Sequence, residues 1–316
     1  MSICNEEKSK NITIYLHKKC TLKCPFCFQN HNKFLKNIVD LDFHKIYDSI
    51  HQAVSDEDLN INFTGGELFY SDKVIDDLIV LIDKLRQEYN LHVVPSSNLI
   101  CNMRLCHKFI DYLYKYDLIK SFSTSFDFKS RFKCDKIAEL WYKNLIELQS
   151  RYPRLQIIVN TIITNELIDS FNDSVTSIEK GIFKKVYGKF TIALQLLSVY
   201  NEKDYISDND FKKIHDYFVK FFPNITFLYT GYGKQCCYNN TYIIYGNGKA
   251  VKGCYENNYG ESVDLDEIKK LYIKKNKCIL CKRYGYCQHE CYMEWYHKYR
   301  NNLDNTKCYY KIVGEV

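Results

Sequence analysis

At 316 residues, with 46% hydrophobic and 26% charged residues, the chain can bury a sizeable core and has the make-up of a soluble globular protein. Its net charge of +6 comes from 44 Lys and Arg interleaved with 38 Asp and Glu; this reads as a solvated surface, and the lack of a dense basic block argues against nucleic acid and leaves a carboxylate-bearing peptide as the acidic partner to consider. No apolar run is long enough to cross a bilayer and MSICNEEKSKN lacks a signal-peptide core, so the sequence excludes a membrane partner and points to the cytoplasm.

Strands and amphipathic helices alternate along the first two-thirds. The β-branched run at 11–16 predicts a strand, and Leu41, Phe43, Ile46, Tyr47 and Ile50 predict a helix over 41–54. A short strand at 61–63 runs into Gly65-Gly66. A helix follows, capped by Ser71 or Asp72, with Val74, Ile75, Leu78, Ile79, Ile82 and Leu85 on one face. Strands at 91–95, 121–126, 156–163 and 190–197 alternate with helices at 105–116, 137–148 and 167–179. Such alternation predicts a parallel sheet with helices outside it, and parallel β/α barrels place their chemistry at the C-terminal strand ends. A bridging helix is expected at 208–222. Beyond about residue 231 Cys, Tyr, Asn and Gly dominate, and that segment is too poor in core residues to fold without a staple, for which metal is the natural choice.

Fifteen cysteines are many for a reducing compartment, where disulfides are rare. Cys20, Cys24 and Cys27 form a CxxxCxxC loop directly after the first predicted strand, and eight more lie between Cys236 and Cys308. Three thiolates at the first spacing can hold three irons of a cubane and leave the fourth open. The other reading is zinc with His17 or His31 as fourth ligand. Cys278, Cys281, Cys287, Cys291 and Cys308, with Cys236, Cys237 and Cys254 upstream, form a second thiol-rich set, which a pair of zinc sites can also explain. On that reading the chain is a zinc-stapled binding module rather than an enzyme. Cys101, Cys106 and Cys134 stand alone, and such cysteines are commonly buried small hydrophobes.

On these motifs the chain resembles the radical S-adenosylmethionine (SAM) superfamily over about residues 11–198, with a SPASM-type auxiliary cluster domain after it. The resemblance implies a partial (β/α)6 barrel over 1–200, a bridging helix within 201–230 and an iron–sulfur-stapled domain over 231–316. It implies three [4Fe-4S] clusters and SAM, an electron reaching the first cluster, and a 5′-deoxyadenosyl radical that abstracts hydrogen. Phe26 then lies near the adenine, and Thr64-Gly65-Gly66-Glu67 contacts the methionine amino group. Ser125 and Asp127, in the S-x-D pattern, and Asn160 contact SAM, and Ser97-Asn98 occupies the place of a TNG turn. Cys278, Cys281, Cys287 and Cys308 hold one auxiliary cluster; Cys237, Cys254 and Cys291, with Cys236 as fourth thiol, hold the other.

Relatives of this kind mostly modify ribosomally made peptides, giving thioether or carbon–carbon cross-links, epimerisation or oxidation to formylglycine. The last, anaerobic sulfatase-maturase chemistry, ranks lower because Tyr255 stands where those enzymes carry an Asp base. RNA or a small molecule is the further alternative. An epimerase needs a thiol hydrogen donor, and Cys134, just past the fourth strand, is the residue to consider. Nineteen residues precede Cys20, too few for a leader-binding domain, so the expectation is a separate leader-binding protein or direct docking of the peptide at the barrel mouth. An electron donor such as flavodoxin or ferredoxin is also implied.

Overall fold

The structure, a computed structural model, describes residues 10–24, 27, 41–54, 58–127, 131–132, 134–163, 177–187, 189–196, 207–221, 226–228, 241–252, 265–281, 295–296, 299, 303, 307–308 and 311–312. Strict alternation builds its first strands. In β1 (Lys10–Tyr15) and β2 (Asp58–Thr64), Ile12, Ile14, Leu59, Ile61 and Phe63 are buried. Asn11, Thr13, Asn60 and Asn62 are half-buried on the opposite face. A period of two is what a sheet with one face in a core requires.

The remaining strands are β3 (Asn90–Pro95), β4 (Ser121–Ser125), β5 (Gln156–Ile163), β6 (Thr191–Leu196), β7 (Thr226–Leu228), β8 (Thr241–Tyr245) and β9 (Ala250–Lys252). They form two sheets, ordered β3-β2-β1-β8-β9 and β4-β5-β6-β7. A bridge between Ser96 and Ser123 joins β3 to β4, and Ser97 N donates to Ser123 O at 3.0 Å. Every pairing is parallel except the β8–β9 hairpin. The result is the open, mainly parallel barrel of the α/β class that the alternation predicts.

One strand comes from an unexpected place. β8 lies in the cysteine-rich segment, which the sequence assigns to a separate domain, yet it pairs in parallel with β1 from Asn11–Thr241 to Tyr15–Tyr245. Ile244 is wholly buried in the barrel core, and Tyr15 and Tyr245 stack at 6.0 Å. The run TYIIY is short and its neighbours are Asn and Gly, so its apolar periodicity is too brief to stand out.

Helices cover the outer face: α1 (Phe43–Ala53), α2 (Asp72–Leu85), α3 (Met103–Lys115), α4 (Asp135–Arg151), α5 (Ser177–Tyr187) and α6 (Asp208–Phe221). Asp42 caps α1 by accepting from Lys45 N at 3.0 Å, and Asn102 caps α3 by accepting from Arg104 N at 3.1 Å. At α2 the cap differs from expectation. Ser71 makes no side-chain capping bond, and Asp72 accepts Arg104 Nη2 on both oxygens at 2.7 Å, tying α2 to α3. α4 stops at Arg151 because Tyr152 precedes Pro153, and a residue before proline avoids helical geometry.

The helix expected at 167–179 appears among the described residues as α5, from Ser177 to Tyr187, and most of the expected span lies outside them. The helix runs past Gly181, where Ile182, Phe183 and Val186 are buried. Packing thus outweighs the roughly 1 kcal/mol that glycine costs there. An aromatic group, Phe126, Phe132, Trp141 and Phe183, locks α4 and α5 to β4, and Trp141 Nε1 donates to Thr124 Oγ1 at 3.2 Å.

The cysteine-rich segment also contains α7 (Leu265–Lys275) and a 3₁₀ turn at Cys278–Leu280 entered through Lys277 at φ 52°. Ile268, Tyr272, Cys278, Trp295 and Cys308 form a small apolar cluster of their own. No helix among the described residues is long and apolar enough to cross a membrane.

Leu78, wholly buried on α2, tests the main core. Leu78→Ala should lower unfolding free energy by about 2–5 kcal/mol, read from the urea midpoint at unchanged slope. Val80→Ala, on the exposed side of the same helix, should change it by less than about 0.5 kcal/mol.

Candidate active site

The triad loop leaves the C-terminal end of β1, and the turn after β2 grips it. Leu16 N donates to Thr64 O at 3.0 Å, Gly66 N to His17 O at 2.5 Å and Glu67 N to Lys19 O at 2.6 Å. Pairing therefore continues past the strands to the residue just before Cys20. Gly65 sits at φ +118°, and a Cβ there would lie 2.9 Å from His17 O. At Gly66 a Cβ would lie 1.8 Å from Lys19 O, which no side chain can tolerate. In this structure the glycines serve the approach of the cysteine loop's own backbone.

Glu67 braces the loop from the other side. Its carboxylate is buried and accepts Phe69 N at 3.1 Å, Ser97 Oγ at 2.7 Å and Asn98 N at 2.9 Å. Burial pushes its pKa up, opposed by those three bonds and by the Arg131 charge. The sequence aims Glu67 at an ammonium; three of its roughly four acceptor sites are given to the β2 and β3 ends instead. Asn98 passes the brace on, donating from Nδ2 to Cys20 Sγ at 3.3 Å and to Thr21 Oγ1 at 3.3 Å. Thr21 Oγ1 donates to Ile100 O at 2.8 Å. The turn between them holds Leu99 at φ 57°, a strained setting for a branched side chain, and Asn144 Nδ2 from α4 holds its carbonyl at 2.7 Å. Ser97-Asn98 thus links Glu67 to the first cysteine.

The three thiols influence one another. Burial raises Cys20, opposed by the Leu22 amide and Asn98 and reinforced by Glu67 and Cys27. Burial raises Cys24 to about 11, with Arg131 opposing and Asp127, Cys27 and Cys20 adding to the rise. Cys27 N donates to Cys24 O at 3.2 Å, which turns the loop back on itself. Among the described residues no three His, Cys, Asp or Glu side chains form a site for one metal ion. Both ring nitrogens of His17 are buried, and the ring packs on Tyr70 at 5.8 Å. Burial, then the Lys19 charge, holds His17 below its ordinary pKa.

Arg131 is the charged residue at the site that the sequence does not single out. Its Nε donates to Asp127 Oδ2, with the carboxylate wholly buried and the guanidinium nearly so. Asp127 Oδ1 also accepts Ile162 N from β5. The sequence assigns Asp127 to SAM; in the structure its carboxylate accepts from Arg131 and from Ile162 N. The spacing of four between Asp127 and Arg131, with a lone guanidinium after a strand-end carboxylate, is the signal that was there to read. Asn160 is likewise engaged, donating from Nδ2 to Ser123 Oγ at 2.8 Å and to Thr124 O at 3.3 Å. Ser125 is half-buried at the end of β4, in register with Asn160, and its hydroxyl has no partner among the described residues.

Cys134 is exposed and starts α4 without a side-chain cap bond. Cys101 and Cys106 line the back of the Glu67 brace, where burial raises both thiols far above their usual range. Of the second cysteine set, Cys278 and Cys308 are buried in one apolar cluster, and Cys281 is half-buried at the end of the 3₁₀ turn. Phe26, Cys236, Cys237, Cys254, Cys287 and Cys291 lie outside the described residues, as do His31 and Tyr255.

No protein-family model and no curated protein matches the sequence. Solved structures do match. anSMEcpe with bound AdoMet and the Cp18Cys peptide superposes with a TM-score of 0.63 at 15% identity, covering 97% of this chain and 95% of that one. Streptococcus suis SuiB bound to S-adenosylmethionine superposes with a TM-score of 0.54 at 15% identity, covering 95% and 74%. Both are radical SAM enzymes. This chain has the radical SAM fold. The match runs through the cysteine-rich segment as well as the barrel, in keeping with an extra domain of the SPASM type. Within the radical SAM fold, CxxxCxxC at the end of β1 and Gly-Gly-Glu at the end of β2 are adjacent and hydrogen-bonded here.

Gly66→Ala should lower stability by about 1–3 kcal/mol and abolish iron uptake at the triad in anaerobic reconstitution. Gly181→Ala, whose added Cβ meets nothing within 4 Å, should leave iron uptake unchanged. Arg131→Ala should cost about 3–5 kcal/mol by leaving Asp127 buried without its counter-ion. With its pKa raised by burial, Asp127 in that variant contributes stability below the ordinary carboxylate pKa, lost as pH rises through the folded value. Unfolding midpoints compared at acid and neutral pH read this loss.

Proposed function

We propose that this chain is a radical SAM enzyme that modifies a ribosomally made peptide. The observation that carries the reading is the cysteine triad held at the end of β1 by the glycine turn of β2. A loop with three thiols, two backbone clamps and the Glu67–Asn98 brace is built to present a metal group in one orientation. The fold neighbours support the substrate class, since one is described with AdoMet and a peptide bound.

Cys20, Cys24 and Cys27 are the residues that would hold a cubane with an open iron. Cys20, Cys24 and Cys27 lie within electrostatic reach of one another, and the buried Arg131 guanidinium offsets the negative charge that three thiolates bring. When bound, the cluster and SAM together supply one-electron cleavage of the sulfonium and hydrogen abstraction from carbon. The chain's own part is placement. Asn98 fixes Cys20, Gly66 fixes the loop, and Asp127 fixes Arg131. Ser125 offers an unengaged hydroxyl at the strand end for the SAM carboxylate. Phe26 is proposed to lie against the adenine.

In the second domain Cys278, Cys281, Cys287 and Cys308 are proposed to hold one auxiliary [4Fe-4S] cluster, and Cys236, Cys237, Cys254 and Cys291 the other. The favoured outcomes are cross-linking of a thioether or carbon–carbon type, or epimerisation. Cys134, exposed at the start of α4, is the proposed hydrogen donor for the latter.

Anaerobically prepared protein should contain iron and sulfide near three cubanes per chain, about a dozen irons. Zinc without sulfide would reject the reading. Replacing Cys20, Cys24 and Cys27 together with Ala should abolish 5′-deoxyadenosine formation under reducing conditions, measured by chromatography; undiminished formation would remove the triad from the chemistry. Cys134→Ala should slow any epimerisation, read by deuterium uptake into the peptide, and leave 5′-deoxyadenosine formation in place.

A further inference from the structure

The three thiols of the triad are not treated alike. Cys20 Sγ accepts two hydrogen bonds, from Leu22 N at 3.4 Å and from Asn98 Nδ2 at 3.3 Å. Among the described residues no donor reaches the sulfur of Cys24 or Cys27 in this way. The Leu22 bond is local and forms inside the loop. The Asn98 bond crosses from the turn after β3, 78 residues away in the chain.

The Asn98 carboxamide has a single setting. Its Oδ1 accepts Ile100 N at 2.7 Å, which points the NH2 end at Cys20 and Thr21. A flipped amide would face Nδ2 to the Ile100 amide and Oδ1 to the sulfur, losing all three bonds. Thr21 Oγ1 gives its own hydrogen to Ile100 O at 2.8 Å, so toward Asn98 it acts as an acceptor at 3.3 Å. The two hydrogens of Nδ2 thus have two acceptors, and one is the thiol. The backbone is tied as well. Asn98 N donates to Glu67 Oε2 at 2.9 Å, and Asn144 Nδ2 donates to Leu99 O at 2.7 Å. Glu67, Asn98 and Asn144 are all buried.

The link through Thr21 is enough to fasten this turn to the cysteine loop. A donor aimed at the sulfur adds something fastening does not require. Hydrogen bonds to cluster sulfurs favour the reduced state, because reduction adds negative charge that the donor stabilises. We propose that Asn98 sets the reduction potential of the cluster at the triad, by giving one carboxamide hydrogen to Cys20 Sγ. On reduction one electron enters the cluster, no bond breaks, and the hydrogen stays on Asn98 nitrogen. Asn98 acts through Cys20 and is a positioning residue. The inference rests on the function proposed above, and the experiment separates the two.

The test is a redox titration of the cluster-loaded protein followed by electron paramagnetic resonance. The triad's signal is the one that changes when SAM is added to a parallel sample. In Asn98→Ala the reduced-to-oxidised ratio at a fixed potential should fall about tenfold, a midpoint lower by about 59 mV for one electron. Asn98→Asp keeps the shape and the Ile100 bond but lacks the donor, and its midpoint should fall at least as far. Thr21→Val breaks the fastening and spares the bond to sulfur, so its midpoint should match the parent. An unchanged midpoint in Asn98→Ala overturns the proposal, as does an equal fall in Thr21→Val, which would make the effect one of loosening. A fall in Asn98→Asp alone overturns it too, since added charge then explains the shift. One measurement needs no variant: parent protein labelled with ¹⁵N at asparagine should show a nitrogen coupling on the SAM-responsive signal, and its absence overturns the proposal. If no form gives a signal that responds to SAM, the function itself is overturned instead.

Discussion

The active end of the molecule depends on one close approach. Gly66 lies so near the Lys19 carbonyl that a single methyl group cannot fit between them. That contact makes two strand ends into one body and fixes the position of the first cysteine. Every other feature of the site is referred to it. Glu67 follows Gly66 and reaches across to Ser97 and Asn98, and Asn98 reaches back to Cys20, closing a ring that runs through β1, β2 and β3. A loop carrying three thiols has little secondary structure of its own, so its precision must be borrowed from rigid elements on either side.

A second lock works by charge. Asp127 and Arg131 bury a carboxylate and a guanidinium at the end of β4, with β5 contributing a backbone amide. Taking two charges out of water is costly, and an apolar pair of similar volume is often as stable. Under the function proposed above, the Arg131 guanidinium would offset the charge that thiolates at Cys24 and Cys27 bring. The two locks meet at Glu67, where the Arg131 charge is felt.

Much of this arrangement was legible in the sequence. The strands at the end of which CxxxCxxC and Gly-Gly-Glu fall carry clear alternation, and the helical face from Ile75 to Leu85 is buried as its spacing requires. What could not be read was the traffic between elements distant in the chain. The capping residue of α2 turned to a neighbouring helix, α5 ran through Gly181 because Phe183 and Val186 had a core to enter, and Arg131 gained its meaning only from Asp127 being buried. In each case a local preference of about 1 kcal/mol met a tertiary contact worth more. The partners of Asp127 and Asn160 belong to the same class: polar residues at strand ends look alike in sequence, and only the folded register shows that these two are occupied while Ser125 has no partner among the described residues.

The pairing of β1 with β8 has a consequence for how the protein comes into being. Asn11 finds its partner Thr241 about 230 residues later, so the sheet that carries the cysteine loop keeps an open edge until most of the chain has left the ribosome. Pairings of such high contact order form late, and an unpaired strand edge invites association with other chains. During synthesis the nascent barrel is therefore at its most vulnerable on the flank that carries the Cys20 loop. A cell would do well to shield that edge until translation is nearly complete.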